Sequence, residues 1–310
     1  FFYTPTPPPQ IPLRLVGSEM CIRDRIDVEI QVSESQLKSI DIRKGTMKHI
    51  STSQLRLLTE EFSHQTYSSL PGGSIANSLY AANHYNVETY FSCSIGDDEY
   101  GDLFINSFED SGNSISFYKS ELPTGICLIF ITPDGQRTMA ANLGANLDLR
   151  PESLNIDELK LSEFLLFDNF SLCSANGIRT VQHSLSIKPN IRICFGISDV
   201  SLVQENHEYI KELFQNRIEI LYGNEEEIIA FEQSELPSPI NTLVSYGKDG
   251  ARFNSTSVKA SKVNMVNSNG AGDALIGAFL ANLETADQKR ALQEAVSYAS
   301  RVCETNGPRL

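Results

Sequence analysis

Most signatures of a special protein class are missing from this 310-residue chain. Its six cysteines (Cys21, Cys93, Cys127, Cys173, Cys194 and Cys303) are scattered and form no C-x-x-C pair. That excludes a zinc ribbon or a disulfide frame and fits reduced thiols in a cytoplasmic protein. Five histidines occur without H-E-x-x-H or a similar ligand spacing,. No G-x-x-x-x-G-K-[ST] loop is present, so a P-loop is excluded,. No apolar run reaches the roughly 18 residues of a membrane span, and no membrane partner is expected. Positive charge is scarce, with 25 Lys and Arg against 39 Asp and Glu and a formal net charge of -14. Nucleic acid and anionic lipid are therefore not expected as general partners, whereas a small anion needs only a local positive site. What remains is ordinary: 41% hydrophobic and 21% charged residues, in a chain long enough for one large α/β domain or two modest ones,.

One stretch stands out against that background. Asn267-Ser268-Asn269-Gly270-Ala271-Gly272-Asp273 is small, polar and Gly-rich, and it runs into Ala274-Leu275-Ile276-Gly277-Ala278-Phe279-Leu280, apolar at helical spacing. Such a junction predicts a tight loop opening a helix, with free N–H groups and the positive dipole end facing outward. Glycine lets a phosphate approach that backbone closely. A carboxylate at Asp273 repels an anion there, unless it takes a proton from the group that attacks the anion. A hydroxyl nucleophile, a phosphoryl group over the glycines and Asp273 as base would make a phosphotransferase site. Taken alone, the residue reads more readily as an acid in a first helical turn, an ordinary capping partner.

Along the chain, residues 1–25 read as a foreign leader, Pro-rich at its start and an artefact in place of the natural beginning; they are excluded from the expected fold. Ile26–Val32 and Gly45–Ile50 are strand candidates, and Pro71-Gly72-Gly73-Ser74 opens a helix with apolar residues at 75, 79 and 82,. Thr124–Thr132, the turn Pro133-Asp134-Gly135 and Arg137–Asn142 predict a hairpin. From Ser162 strands alternate with helices. The strands are Phe164–Phe167, Ile191–Phe195, Ile218–Tyr222 and Thr242–Tyr246, and the helices lie near 174–187, 201–215, 224–233, 271–284 and 287–304. That rhythm predicts βα units on a mostly parallel sheet. Asn224-Glu225-Glu226-Glu227 reads as an N-cap followed by dipole-favoured acids.

Three of these segments carry a resemblance to a known family. Asn267–Asp273 resembles the D-T-x-G-A-G-D signature of the PfkB, or ribokinase-like, family of sugar and nucleoside kinases. Gly72-Gly73 with Asn77, followed by Gly96, Asp97 and Gly101, resembles its first signature, and Asn224 with Glu227 matches its N-x-x-E motif. The resemblance spans residues 26–310 and is nearest to adenosine-kinase-like members. It implies an α/β ribokinase-like fold: a mostly parallel central sheet flanked by helices, with a small β-sheet lid from strands at about 28–50 and 115–142.

The implied reaction moves the γ-phosphoryl group of Mg·ATP to a primary hydroxyl of adenosine or a related nucleoside, or of a free sugar such as fructose or ribose. Asp273 would be the base, and Gly270, Ala271 and Gly272 the anion hole. Asp27, Gly72, Gly73 and Asn77 would hold substrate hydroxyls, although the G-N-A that precedes the family's first Asp is absent here. Asn224 and Glu227 would organise Mg²⁺ and phosphate, largely through water, and Gly247 and Gly250 would flank ATP unless they form a plain turn. Asn267 stands where relatives carry an Asp that helps bind a monovalent cation such as K⁺; it keeps a carbonyl and loses the charge. Arg137 contacts phosphate or holds its hairpin, and Phe170 stacks on a base or joins the core. Relatives dimerise through the lid, which makes a homodimer an expectation. A non-catalytic ribokinase-like protein that binds a ligand or a partner is the alternative.

Overall fold

The computed structural model describes residues 14–18, 25–65, 67–214, 218–284 and 286–310. In the first part of the chain it forms β1 (Arg14–Ser18), β2 (Arg25–Gln31), α1 (Glu34–Ser39), β3 (Met47–His49), α2 (Thr52–Glu61), β4 (Tyr67–Pro71) and α3 (Ser74–Asn83). Next come β5 (Glu88–Gly96), α4 (Glu99–Asp110), β6 (Ser114–Ser120), β7 (Gly125–Ile131), β8 (Arg137–Asn142), α5 (Ile156–Leu161) and β9 (Phe164–Asp168). They are followed by α6 (Ala175–Ile187), β10 (Arg192–Gly196), α7 (Val200–Glu205), α8 (His207–Phe214), β11 (Ile218–Asn224) and α9 (Glu225–Glu232). The last elements are β12 (Asn241–Ser245), β13 (Ala251–Phe253), β14 (Thr256–Val258), α10 (Ala271–Leu283) and α11 (Gln288–Val302).

Two sheets organise the described residues. The larger has the order β14-β13-β12-β11-β10-β9-β1-β5-β6, parallel from β12 to β6 and closed by the antiparallel pair β13–β14. All five residues of β9 are buried, as are eight of the nine in β5. Near-continuous apolar runs of this kind mark parallel strands covered on both faces by helices. The smaller sheet, β3-β8-β7-β2-β4, is the lid. In β7 alternate residues face opposite cores: Ile126, Leu128 and Phe130 join the main cluster, where Phe130 lies 5.2 Å from Phe62. Cys127 and Ile129 face a second cluster with Phe170 and Leu202 at the seam between the sheets,.

Four expectations are corrected here. Most of the leader lies outside the described residues, but Arg14–Ser18 is not excluded from the fold: it is β1, paired in parallel with β5 and β9 in the interior of the large sheet. The lid does not begin at 115, since β6 runs parallel to β5 at the edge of the large sheet. β4, for which the sequence predicted no strand, completes the lid antiparallel to β2. The helix expected over 201–215 is broken into α7 and α8 at Asn206. The buried carboxamide there donates to the carbonyl oxygen of Asn169 at 3.0 Å and to its side-chain Oδ1 at 2.7 Å. Gly96 and Gly101 form the expected structural turn. Asp98 caps α4 there and also accepts from Thr124 Oγ1 at 2.6 Å, tying the large sheet to the start of β7.

α3 and α10 pack with their backbones almost touching. A Cβ added at Gly277 would lie 1.9 Å from the carbonyl oxygen of Ser78, so only glycine permits this approach,. The N-termini of both helices consequently arrive together beneath the lid.

Candidate active site

A cavity of about 370 Å³ opens where β10, β11 and β12 end. The C-terminal edge of a parallel sheet is where α/β proteins commonly hold ligands. Ile129, Arg137 and Met139 of the lid roof it, Ser74 and the loop 268–273 line one side, and Gly223, Asn224, Glu227 and Ser245 line the other.

The loop is shaped by two glycines with different tasks. Gly270 is the N-cap of α10 at φ +76°, and a Cβ there would come within 2.6 Å of Pro308. Both the left-handed backbone and the contact require glycine. Gly272, two residues later, would point a Cβ into open space, with no described atom within 4 Å. Among the described residues no side chain caps α10. Its first-turn N–H groups, which lack intrahelical partners, and its positive dipole end thus face the cavity. α3 begins in the same way: its N-cap is Gly73 at φ +111°, without a side-chain cap. Two uncapped helix ends side by side favour an anion.

Asp273 sits between them, 9% exposed. Its Oδ1 accepts from Ser74 Oγ at 2.5 Å and its Oδ2 from Asn77 Nδ2 at 3.0 Å. The carboxylate therefore caps no backbone of its own helix; both oxygens are held by α3. Asn77 is tied in turn to Arg309, whose Nε donates to Asn77 Oδ1 at 2.9 Å. Nη2 of the same guanidinium reaches the Gly72 carbonyl at 3.4 Å.

Asp27 lies on β2, 4% exposed, and accepts from Arg25 Nε at 2.6 Å and from Asn269 Nδ2 at 3.2 Å. A Cβ at Gly72 would stand 2.9 Å from Asp27 Oδ2, so the bare glycine is what lets the acid and this backbone meet. Arg137 does more than hold its hairpin. Its Nη1 donates to Asn267 Oδ1 at 2.7 Å and its Nη2 to Glu29 Oε1 at 3.0 Å, which joins the lid to the loop.

The side chain of Asn267, the candidate monovalent-cation ligand, is engaged within the protein. Its Oδ1 accepts from both Arg137 and the Asn269 N–H (2.9 Å), and its Nδ2 donates to the Asn306 carbonyl at 2.9 Å. A carboxamide oxygen has two lone pairs, and both are in use. Phe170 does not stack in the cavity: it is 2% exposed and fills the seam core with Cys127, Ile129, Ala141 and Leu202.

Asn224 and Glu227 line the cavity and also form a capping box, with Asn224 N–H to Glu227 Oε2 and Glu227 N–H to Asn224 Oδ1, both 2.9 Å,. Gly250, at φ +102°, would place a Cβ 2.0 Å from the Val258 carbonyl, so the turn before β13 needs glycine for packing. The described walls include neither Gly247 nor Gly250, nor Ala271, but do include Ser245. Among the described residues no group of three or more His, Cys, Asp and Glu converges on a metal-sized site. Mg²⁺ would fit here only with few protein ligands, keeping waters and phosphate oxygens, which suits a single Glu227.

The structure thus gathers Asp273, Gly270, Gly272, Arg137, Asn224 and Glu227 around one cavity, with Asp27, Gly72, Gly73 and Asn77 bonded beneath its floor. Ser74, Ser198, Tyr222, Asn269 and Arg309 were missed. Ser74 had a usable signal in its place directly after Gly72-Gly73; Arg309 had none, lying more than 200 residues from its partners.

Comparison with known proteins shows the family. Residues 53–310 match the model of the pfkB family carbohydrate kinases. A ribokinase of Staphylococcus aureus (strain COL) is 26% identical over 249 residues, 74% of this chain and 79% of the relative. Adenosine kinase 2 of Arabidopsis thaliana is 24% identical over 317 residues, 89% of this chain and 90% of the relative. Among solved structures, adenosine kinase from Sinorhizobium meliloti superposes with a TM-score of 0.82 at 20% identity, covering 96% of both chains. With its ribokinase-like fold, and with the family model covering most of its length, the chain belongs to the pfkB family of carbohydrate kinases.

Proposed function

We propose that the chain transfers the γ-phosphoryl group of Mg·ATP to a primary hydroxyl of a nucleoside of the adenosine type or of a sugar, with Asp273 as general base. The observation that carries this is a nearly buried carboxylate placed between two uncapped helix N-termini, at the floor of a roofed cavity. A negative group has a use at an anion site when it accepts the proton of the attacking hydroxyl.

Bound Mg·ATP supplies the transferable phosphoryl group and the metal's charge. The chain does the rest by position and electrostatics. Asp273 takes the acceptor proton. The Gly270–Gly272 turn offers backbone N–H groups to the charge that develops. Asp27, with the backbone of Gly72 and Gly73, orients the acceptor's other hydroxyls. Asn224 and Glu227 organise the metal through water, while the lid excludes bulk water that would compete as acceptor. An adenosine-like acceptor is favoured by the relatives and solved structures named as adenosine kinases, and a sugar by the relative named as a ribokinase. A homodimer joined through the lid, and a cytoplasmic location, belong to the same proposal.

The test is ADP release from Mg·ATP over adenosine, inosine, ribose, fructose and 2-keto-3-deoxygluconate. Turnover on one acceptor, reduced at least about a hundredfold in Asp273→Asn, is the expected result. Near-normal turnover in that variant overturns the assignment of the base. A folded protein whose melting point rises with ligand but which releases no ADP is a binder, not a kinase.

A further inference from the structure

The two groups that hold Asp273 are not alike. Ser74 lines the cavity. Asn77 lies behind it, 4% exposed, with its carboxamide spanning from Asp273 Oδ2 to Arg309 Nε. The oxygen and nitrogen of a carboxamide are nearly the same size, so packing alone does not decide which end faces the carboxylate. The partners decide it. A guanidinium only donates and an ionised carboxylate only accepts, so the amide oxygen must face Arg309 and its N–H must face Asp273. Turned over, the amide would set oxygen against oxygen at one end, which is buried, and N–H against N–H at the other, which is partly buried,.

Arg309 is itself well fixed. It reaches the Gly72 carbonyl, and its guanidinium lies 5.2 Å from the centre of the Tyr80 ring,. The Tyr80 hydroxyl donates to the carbonyl of Leu310 at 3.1 Å, and Pro308 sits against Gly270. Residues 306–310 therefore touch the Asn77 amide, the Gly72 backbone and the anion loop at once.

We propose that Arg309 and Asn77 are positioning residues for Asp273. Arg309 fixes the sense of the Asn77 amide, and the amide holds Oδ2 of the base. That leaves Oδ1, on the cavity side, to exchange Ser74 for the acceptor hydroxyl. The inference rests on the kinase reading above and departs from the family resemblance, which gives Asn77 to a substrate hydroxyl.

The experiment is a double-mutant cycle read in kcat and KM, using ADP release with the acceptor that the wild type turns over. Arg309→Met removes the donor and keeps the stem; its kcat should fall about tenfold, with both KM values within about twofold. Arg309→Lys, still a donor-only cation, should recover most of that loss. Asn77→Ala should lower kcat at least as far as Arg309→Met. The double variant should have a kcat no lower than that of Asn77→Ala alone, because the proposal has Arg309 reach the base by way of the Asn77 amide,.

Losses that multiply in the double variant would overturn the proposal. So would an Arg309→Met variant with unchanged kcat, or an Asn77→Ala variant with normal kcat and an acceptor KM raised about tenfold or more. Melting curves guard against misfolding; should Arg309→Met melt below the assay temperature, Arg309→Leu, which also lacks a donor, closes the same cycle. A wild type silent on every acceptor overturns the kinase reading and this proposal with it, whereas an active wild type with multiplying losses overturns this proposal alone.

Discussion

Glu227 and Asp273 occupy the same position in two helices. Each is the third residue after the N-cap, each helix opens on the same cavity, and both N-caps are small: Asn224 for α9 and Gly270 for α10. Their hydrogen bonds go to different places. Glu227 reaches back to its own N-cap N–H and closes a capping box. Asp273 has no capping side chain to pair with, and its two oxygens are taken by Ser74 and Asn77 on a different helix. One acid stabilises the element that carries it; the other is held in place by a neighbour while its own helix end stays open to the cavity. The difference lies less in the acid than in the N-cap, because a Gly cap offers the first-turn N–H groups no side-chain acceptor,.

The sharpest way to break the comparison is to neutralise each acid. Asp273→Asn should lower kcat by about 10²- to 10⁴-fold with little change in melting temperature. Glu227→Gln should leave most of the turnover and raise the Mg²⁺ concentration needed for half-maximal rate. Equal losses in kcat from the two variants would erase the distinction.

The glycines before and after the helix start offer a second contrast. Gly270→Ala forces a side chain onto a left-handed backbone and into Pro308, and should cost about 1–3 kcal/mol of stability in urea unfolding,. Gly272→Ala should leave stability unchanged or slightly raised, and should show itself as a higher KM for ATP,. A smaller effect is expected from removing the box at the other helix: Glu227→Ala should cost about 0.5–1 kcal/mol in the same unfolding assay.

The smallest effect comes from the far end of α3. His84 is held below its ordinary value of 6.5 by partial burial and then by the charge of Arg301. The folded state thus binds its proton less readily than the unfolded chain does. Its contribution to stability is full above 6.5 and is lost as pH falls from there through the lowered folded value. His84→Asn should flatten the decline in melting temperature between pH 7 and 5 and leave kcat untouched, since the ring lies at the end of α3 remote from Ser74.

Much of this was legible because the site is built from local patterns. From Phe164 to Val302 the four expected strands and the helices α6, α9, α10 and α11 landed within a few residues of their expected places, whereas the antiparallel pair β13 and β14 had not been expected. Asp273 with Gly270, and Asn224 with Glu227, announce themselves as neighbours in sequence. The break at Asn206 could not be read, since it depends on Asn169, 37 residues away, drawing the side chain inward. β4 was invisible for a similar reason. Ser-Ser-Leu-Pro carries little strand preference, and the strand exists because β2 offers it a partner,. Arg309 and the occupied carboxamide of Asn267 are tertiary facts outright. Phe170 took the commoner course of its residue type, joining the core where the two sheets meet.

Gly277 adds one more consequence. It lies four residues after Asp273, and Ser78 lies four residues after Ser74, so the point where the two backbones touch is one helical turn behind the point where base and hydroxyl meet,. The contact acts as a spacing gauge. Any side chain at 277, even a methyl group, would wedge the helices apart and carry Ser74 and Asn77 away from the carboxylate that they steer. The aim of the base is thus set at a position that never faces the cavity, and a sequence position with no chemistry of its own admits a single letter of the amino-acid alphabet.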